Sequence, residues 1–217
     1  MGTQRVRLGV GTMSVVAALM APGLAVAAFS PSIKFSLSTR KAGANPQVGV
    51  RIAQDAGEVP IDKVTFLFPR GFRFPRDHAI ADQEKLGRGQ FTTATAPFCN
   101  AGFQPSFPST AHERDRTPEE VKQGVWSVWV VDLGVVKVDL VFRRTAAGAW
   151  RAVADVPNSA LVCPPAALVA TLYKTSAESR TKIWQNPRRP GKYTLTSILQ
   201  STTGSRYIIR QRIKFAR

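Results

Sequence analysis

Apolar and polar positions alternate with period two through most of the chain beyond residue 28, in short runs broken by Gly and Pro. Successive side chains of a strand point to opposite faces, so this period predicts half-buried β-strands. The clearest case is the C-terminal stretch. Lys192 to Gln200 and Ser205 to Phe215 flank Ser201-Thr202-Thr203-Gly204, whose residues suit a turn, and together they predict a β-hairpin. In the second run Tyr207, Ile209, Ile213 and Phe215 share one face, and Arg206, Arg210, Arg212 and Lys214 share the other. One face is expected in the core, and the other is a ladder of cations.

The same pattern predicts strands at Ile33 to Ser38, Gln47 to Ala53 and Val64 to Phe68, the last ended by Pro69-Arg70-Gly71. From Phe72 to Phe107 the period fades among scattered Pro and Gly, which reads as long loops around a short strand near Gln90 to Ala94. Thr117-Pro118-Glu119-Glu120-Val121-Lys122-Gln123-Gly124 has an N-cap Thr, Pro at the first helical position, acids in the first turn and Gly past the end, the signature of one short helix. Further strands are expected at Val125 to Val131, Gly134 to Arg143, Ala149 to Val156, Ala166 to Tyr173 and Thr181 to Trp184. Val125 to Val131 is apolar on both faces, so it belongs in the middle of a sheet. The expected core is Trp126, Val128, Trp129, Val130, Leu140, Phe142, Tyr193, Leu195, Ile209 and Phe215.

Nine or ten short strands with one helix and long loops predict an all-β chain, an antiparallel β-sandwich of immunoglobulin-like type. Residues 1–27 read as a signal peptide, with Arg5 and Arg7 ahead of an apolar run and Ala25-Val26-Ala27 as the processing site, cleaved after Ala27 or Ala28. The apolar run is broken by Gly, Thr, Ser and Pro, which speaks against a membrane anchor, and no transmembrane segment is expected in the mature chain. Residues 28–217 are expected to form a single domain, the alternative being a split near 157–160.

Charge changes this picture. The chain carries a formal +16, and between Lys174 and Arg217 eleven Lys and Arg face the single acid Glu178. Such asymmetry suits a polyanionic partner. Aromatics interleave with these cations, but Tyr193 and Tyr207 fall on apolar strand faces, so nucleic acid is not expected. The two cysteines, Cys99 and Cys163, lie in the exported part, where an even pair most simply forms one disulfide. Its loop would constrain the unfolded chain by about 4 kcal/mol. Zinc would need more ligands than two Cys and two separated His provide.

The chemistry of catalysis is sparse. His78 and His112 each neighbour an acid, but no nucleophile elbow accompanies them. Asp132, Asp139 and Asp155 lie on or beside predicted strands, and two of them could supply the acid pair of a secreted glycan or lipid hydrolase. Gly87-Arg88-Gly89 lacks the third glycine and the helix of a dinucleotide loop and reads as a flexible turn. No metal site and no cofactor are expected.

Asn186-Pro187-Arg188-Arg189-Pro190-Gly191-Lys192-Tyr193-Thr194-Leu195 followed by Ser201-Thr202-Thr203-Gly204 resembles the ending of secreted β-sandwich proteins of actinobacteria. Phe68-Pro69-Arg70-Gly71-Phe72 with Lys85-Leu86-Gly87-Arg88-Gly89, and Cys163-Pro164, resemble the same family. These relatives often carry a further Cys-Pro before the glycine pattern, which this chain lacks. The resemblance implies an exported β-protein and assigns no functional residue. The expectation is a non-enzymatic protein, secreted or extracytoplasmic and associated with the cell envelope, that meets anionic envelope polymers through Arg206, Arg210, Arg212 and Lys214. The secreted hydrolase is the alternative.

Overall fold

The computed structural model of the chain describes residues 29–74, 85–95, 105–156, 162–172 and 183–217. The proposed leader, His78, Cys99 and Glu178 lie outside these residues. Eleven strands follow in order: β1 (Ser32–Leu37), β2 (Val48–Gln54), β3 (Ile61–Phe68), β4 (Lys85–Thr95), β5 (Ser106–Arg114), β6 (Val125–Asp132), β7 (Lys137–Arg144), β8 (Trp150–Asp155), β9 (Val162–Leu172), β10 (Gly191–Ser201) and β11 (Arg206–Phe215). One helix, α1 (Pro118–Lys122), precedes β6.

The strands form one antiparallel sheet in the order β1-β2-β9-β4-β5-β6-β7-β8-β3-β10-β11. This corrects the expected sandwich. Two packed sheets would divide the ladder, whereas every neighbouring pair here is hydrogen-bonded and the sheet curls until β1 and β11 nearly meet. Strands on both sides of residues 157–160 belong to that sheet. Eleven is odd, so alternately running strands bring β1 and β11 together parallel, and no regular antiparallel ladder can close the seam. A side chain does so instead. Gln211 Oε1 accepts from Phe35 N–H at 3.0 Å and Gln211 Nε2 donates to Phe35 C=O at 2.7 Å, satisfying both edge groups of one residue. Beyond β11, Ala42 N–H donates to Ala216 C=O at 2.8 Å and Ala216 N–H to Arg40 C=O at 3.0 Å.

A barrel of about eight strands has an interior just wide enough for side chains to fill, so a wider one needs an added plug or keeps a space. This barrel has both. At one end the chain turns inward at Gly71, whose φ of 106° favours glycine, and lays Phe72 and Phe74 inside. Two indoles hold the segment: Trp150 Nε1 donates to Phe72 C=O and Trp126 Nε1 to Phe74 C=O, each at 2.9 Å. Ile183 and Trp184 enter beside them, followed by Asn186, whose Nδ2 donates to Thr39 C=O at 3.1 Å and Lys41 C=O at 3.0 Å. Of the strand expected at Thr181 to Trp184, Ile183 and Trp184 are instead part of a plug; Thr181 and Lys182 lie outside the described residues. Its neighbours are edge-to-face rings, with Trp184 at 5.1 Å from both Phe68 and Phe74 and 5.5 Å from Phe72. In the other half Ala111, Ala154, Ala166 and Ala170 share the wall with larger residues such as Phe66, Phe91 and Trp129, and a cavity of about 180 Å³ remains.

The predicted hairpin forms as β10 and β11, with Gly204 at φ 84° in its turn. Of the expected core, Val128, Trp129, Val130, Phe142, Leu195 and Phe215 are buried, and Leu140, Tyr193 and Ile209 are half-buried. Trp126 is the exception at 39% exposed, because a bulge between Val125 and Ser127 shifts it out of the alternation. Tyr207, near the turn, is also exposed. β5 starts at the end of the stretch expected as loop and contains Pro108. The proline is tolerated because the β6 ladder on that side begins only at Thr110.

Outside the barrel, α1 is capped as expected: Thr117 Oγ1 accepts from Glu120 N–H at 3.2 Å while Glu120 Oε2 accepts from Thr117 N–H at 2.7 Å. Arg114 joins this cap to the sheet, with Nη2 at 2.7 Å from Glu120 Oε1 and 2.6 Å from Asp139 Oδ2. The hydrogen bond from Arg114 holds the Glu120 carboxyl at about 2, from an ordinary value of 4.5. A carboxyl depressed on folding stabilises the native state above its unfolded pKa and loses that contribution as pH falls through its folded one. We therefore expect the stability of the wild type to decline between about pH 4.5 and 2, and urea melts of Glu120→Gln to show a shallower decline over this window. Parallel pH profiles for the two proteins would exclude a role for this carboxyl.

Candidate functional site: a cationic barrel face

The ladder predicted on β11 points outward. Arg206, Arg210, Arg212 and Lys214 are exposed, while Ile213 and Phe215 from the alternate positions are buried. Same-face neighbours two residues apart stand about 6.6 Å apart along a strand. Arg206 Nε donates to Gln200 Oε1 at 3.3 Å. Among the described residues, none of the four pairs with an acid. Ile208 also lies on this face, 48% exposed.

Strand register extends the ladder in ways the sequence does not reveal. Lys192 lies opposite Lys214, and Arg210 begins a cross-strand row through Thr196, Leu67 and Arg151 to Arg143. At the plugged end, Lys41 bridges to Ala216, the Gly43 N–H bonds Pro187 C=O just before Arg188, and the Tyr193 hydroxyl donates to Arg189 C=O. Lys41, Arg188, Arg189 and Lys192 thus lie beside the C-terminal ladder, Arg151 and Arg143 continue the Arg210 row three and four strands away, and β10 and β11 contain no acid. Lys174 and Lys182, which contribute to the C-terminal charge count, lie outside the described residues.

The three carboxylates singled out for hydrolysis are dispersed. Asp132 is 3.5 Å from Lys137 Nζ and accepts from Gly134 N–H at 2.8 Å, Asp139 is held by Arg114, and Asp155 is 2.8 Å from Lys63 Nζ. None of them lines the interior cavity. His112 sits in β5 opposite Val130, half-buried. Among the described residues no group of three or more His, Cys, Asp or Glu could hold a metal ion, and no helix is long and apolar enough to cross a membrane. Cys163 lies in β9 opposite Ala94, while Cys99 is outside the described residues.

Gly87 and Gly89 are not a turn. They sit inside β4, and a Cβ on Gly89 would collide with the Val169 carbonyl oxygen of β9. Bare backbone there lets the two strands approach closely.

Fold and site together define a cationic antiparallel β-barrel, nearly closed, with an aromatic plug and an apolar cavity. No protein-family model matches the chain, and no curated protein matches it in sequence.

Proposed function

We propose that the chain is an exported, non-enzymatic protein that associates with anionic polymers of the cell envelope through the outer face of β11 and the cations beside it. The observation that carries this reading is the acid-free outer face of β10 and β11, on which Arg206, Arg210, Arg212 and Lys214 stand exposed. Cations left without acidic partners offer their full charge to an external anion, and a regular spacing along an extended strand suits repeating phosphates or carboxylates. Export is supported by the leader-like start of the sequence and by its resemblance to secreted actinobacterial proteins. The proposed Cys99–Cys163 disulfide belongs to the same reading. A hydrolase built on Asp132, Asp139 and Asp155 has no supporting observation, since each carboxylate neutralises a neighbouring cation on the barrel's outside.

Each cation near an anionic surface contributes about 1 kcal/mol, so reversing two of them exceeds the roughly 1.4 kcal/mol of a tenfold change. Arg210→Glu with Arg212→Glu is therefore expected to weaken binding to isolated envelope by more than tenfold at low salt. The wild type should itself be released as salt rises, because exposed pairs are screened over about 8–10 Å at physiological ionic strength. Lys122 on α1 and Lys137, at the end of β7 away from Arg143, serve as distant controls, and their reversal should matter little. Equal retention of both double variants across a salt gradient would reduce the ladder to ordinary solvated surface.

A further inference from the structure

The barrel interior carries a second feature, independent of the outer charge. Its cavity of about 180 Å³ exceeds the roughly 150 Å³ of an engineered apolar cavity that stays dry and binds benzene. Its lining runs along β9 from Ala166 to Leu172, a stretch of about 20 Å at about 3.3 Å per residue. The wall is almost wholly aliphatic and aromatic, which excludes sugars and ions, whose polar groups would lose water without replacement. Four polar residues line it: Arg88 is exposed and Thr110 half-buried, and Gln54 is already engaged, donating to Val59 C=O at 2.9 Å and accepting from Ile61 N–H at 3.1 Å. Ser109 is different. It is 3% exposed, shares the inward face of β5 with Ala111, lines the cavity, and its Oγ has no hydrogen-bond partner among the described residues. A buried hydroxyl without a partner is costly, and a ligand oxygen in the cavity would satisfy it.

We propose that this cavity binds one fatty acyl chain in ester form, with Ser109 Oγ donating to the ester carbonyl oxygen, which brings no charge into the apolar wall. A lining that runs this far along one strand suits a chain, and a buried hydroxyl facing it selects an oxygen-bearing chain over a plain hydrocarbon. Trp129 lines the same cavity, so its fluorescence reports occupancy.

The test uses the mature chain, delipidated over a hydrophobic resin and titrated with methyl alkanoates from hexanoate to tetradecanoate, followed by tryptophan fluorescence and calorimetry. One equivalent should bind, with affinity rising with chain length to an optimum and then falling as the cavity is filled. Ser109→Ala should weaken methyl alkanoate binding about five- to tenfold. It should leave dodecane binding unchanged, a difference that a merely structural serine would not produce. Ala154→Leu and Val131→Phe, which fill the cavity from different strands, should abolish binding without lowering Tm; either one suffices if the other fails to fold. Absence of saturable binding by wild type at any chain length would overturn the proposal, and so would undiminished affinity in a folded cavity-filling variant.

Discussion

Phe68→Ala is expected to remove about 3–5 kcal/mol of folding stability, the range for deleting a large aromatic side chain from a packed core. Phe68 ends β3, is 3% exposed, and joins the barrel wall to the plug. Its ring centroid lies 4.9 Å from Phe74, 5.1 Å from Trp184, 6.1 Å from Phe72 and 6.3 Å from both Phe35 and Phe66. Truncation would open a void where two inserted segments meet the wall. Neither can slide in to fill it, because Trp150 and Trp126 pin Phe72 and Phe74 by their carbonyls and Asn186 is tied to residues 39–41. Trp126→Ala, at an exposed ring, should cost less. Urea denaturation with an unchanged m-value is the measurement. A loss below about 1 kcal/mol for Phe68→Ala would mean that the plug is not packed as described.

Gly89→Ala is expected to destabilise by about 1–3 kcal/mol, the cost of forcing atoms into occupied space. An unstrained Gly→Ala change would instead stabilise by about 0.4–1 kcal/mol by restricting the unfolded chain, so the sign of the effect is diagnostic. At Gly89 the added methyl group meets backbone, the Val169 carbonyl oxygen and, at 2.6 Å, the Ala170 Cα, neither of which can move without shifting β9. Gly49→Ala is the contrast. Its Cβ would meet chiefly the Ser36 hydroxyl oxygen, the end of a side chain that can rotate away, so a change within about 0.5 kcal/mol is expected. Thermal melts of the two variants side by side decide the matter. Equal effects would show that the β4–β9 approach is looser than the register implies.

What could be read in the sequence was what depends on near neighbours. Period-two alternation located most of the strands and placed Arg206, Arg210, Arg212 and Lys214 on the side opposite Ile213 and Phe215, because a side chain's face is set by its own backbone. Thr117, Pro118 and Glu120 announced α1 because a capping box is complete within four residues. A sandwich and a barrel share the same alternation, so the sequence could not choose between them. That choice rests on long-range pairings such as β2 with β9 and β3 with β10. The same pairings moved Gly87 and Gly89 from an expected turn into a wall strand, since only the carbonyl of β9 reveals why a side chain is forbidden there. They also brought Lys41 alongside the ladder and aligned Arg151 and Arg143 with Arg210 across the sheet. The cavity and the unpartnered Ser109 were beyond the sequence altogether, because an interior volume is what remains after eleven strands have set the circumference and Phe72, Phe74 and Trp184 have filled one end of it.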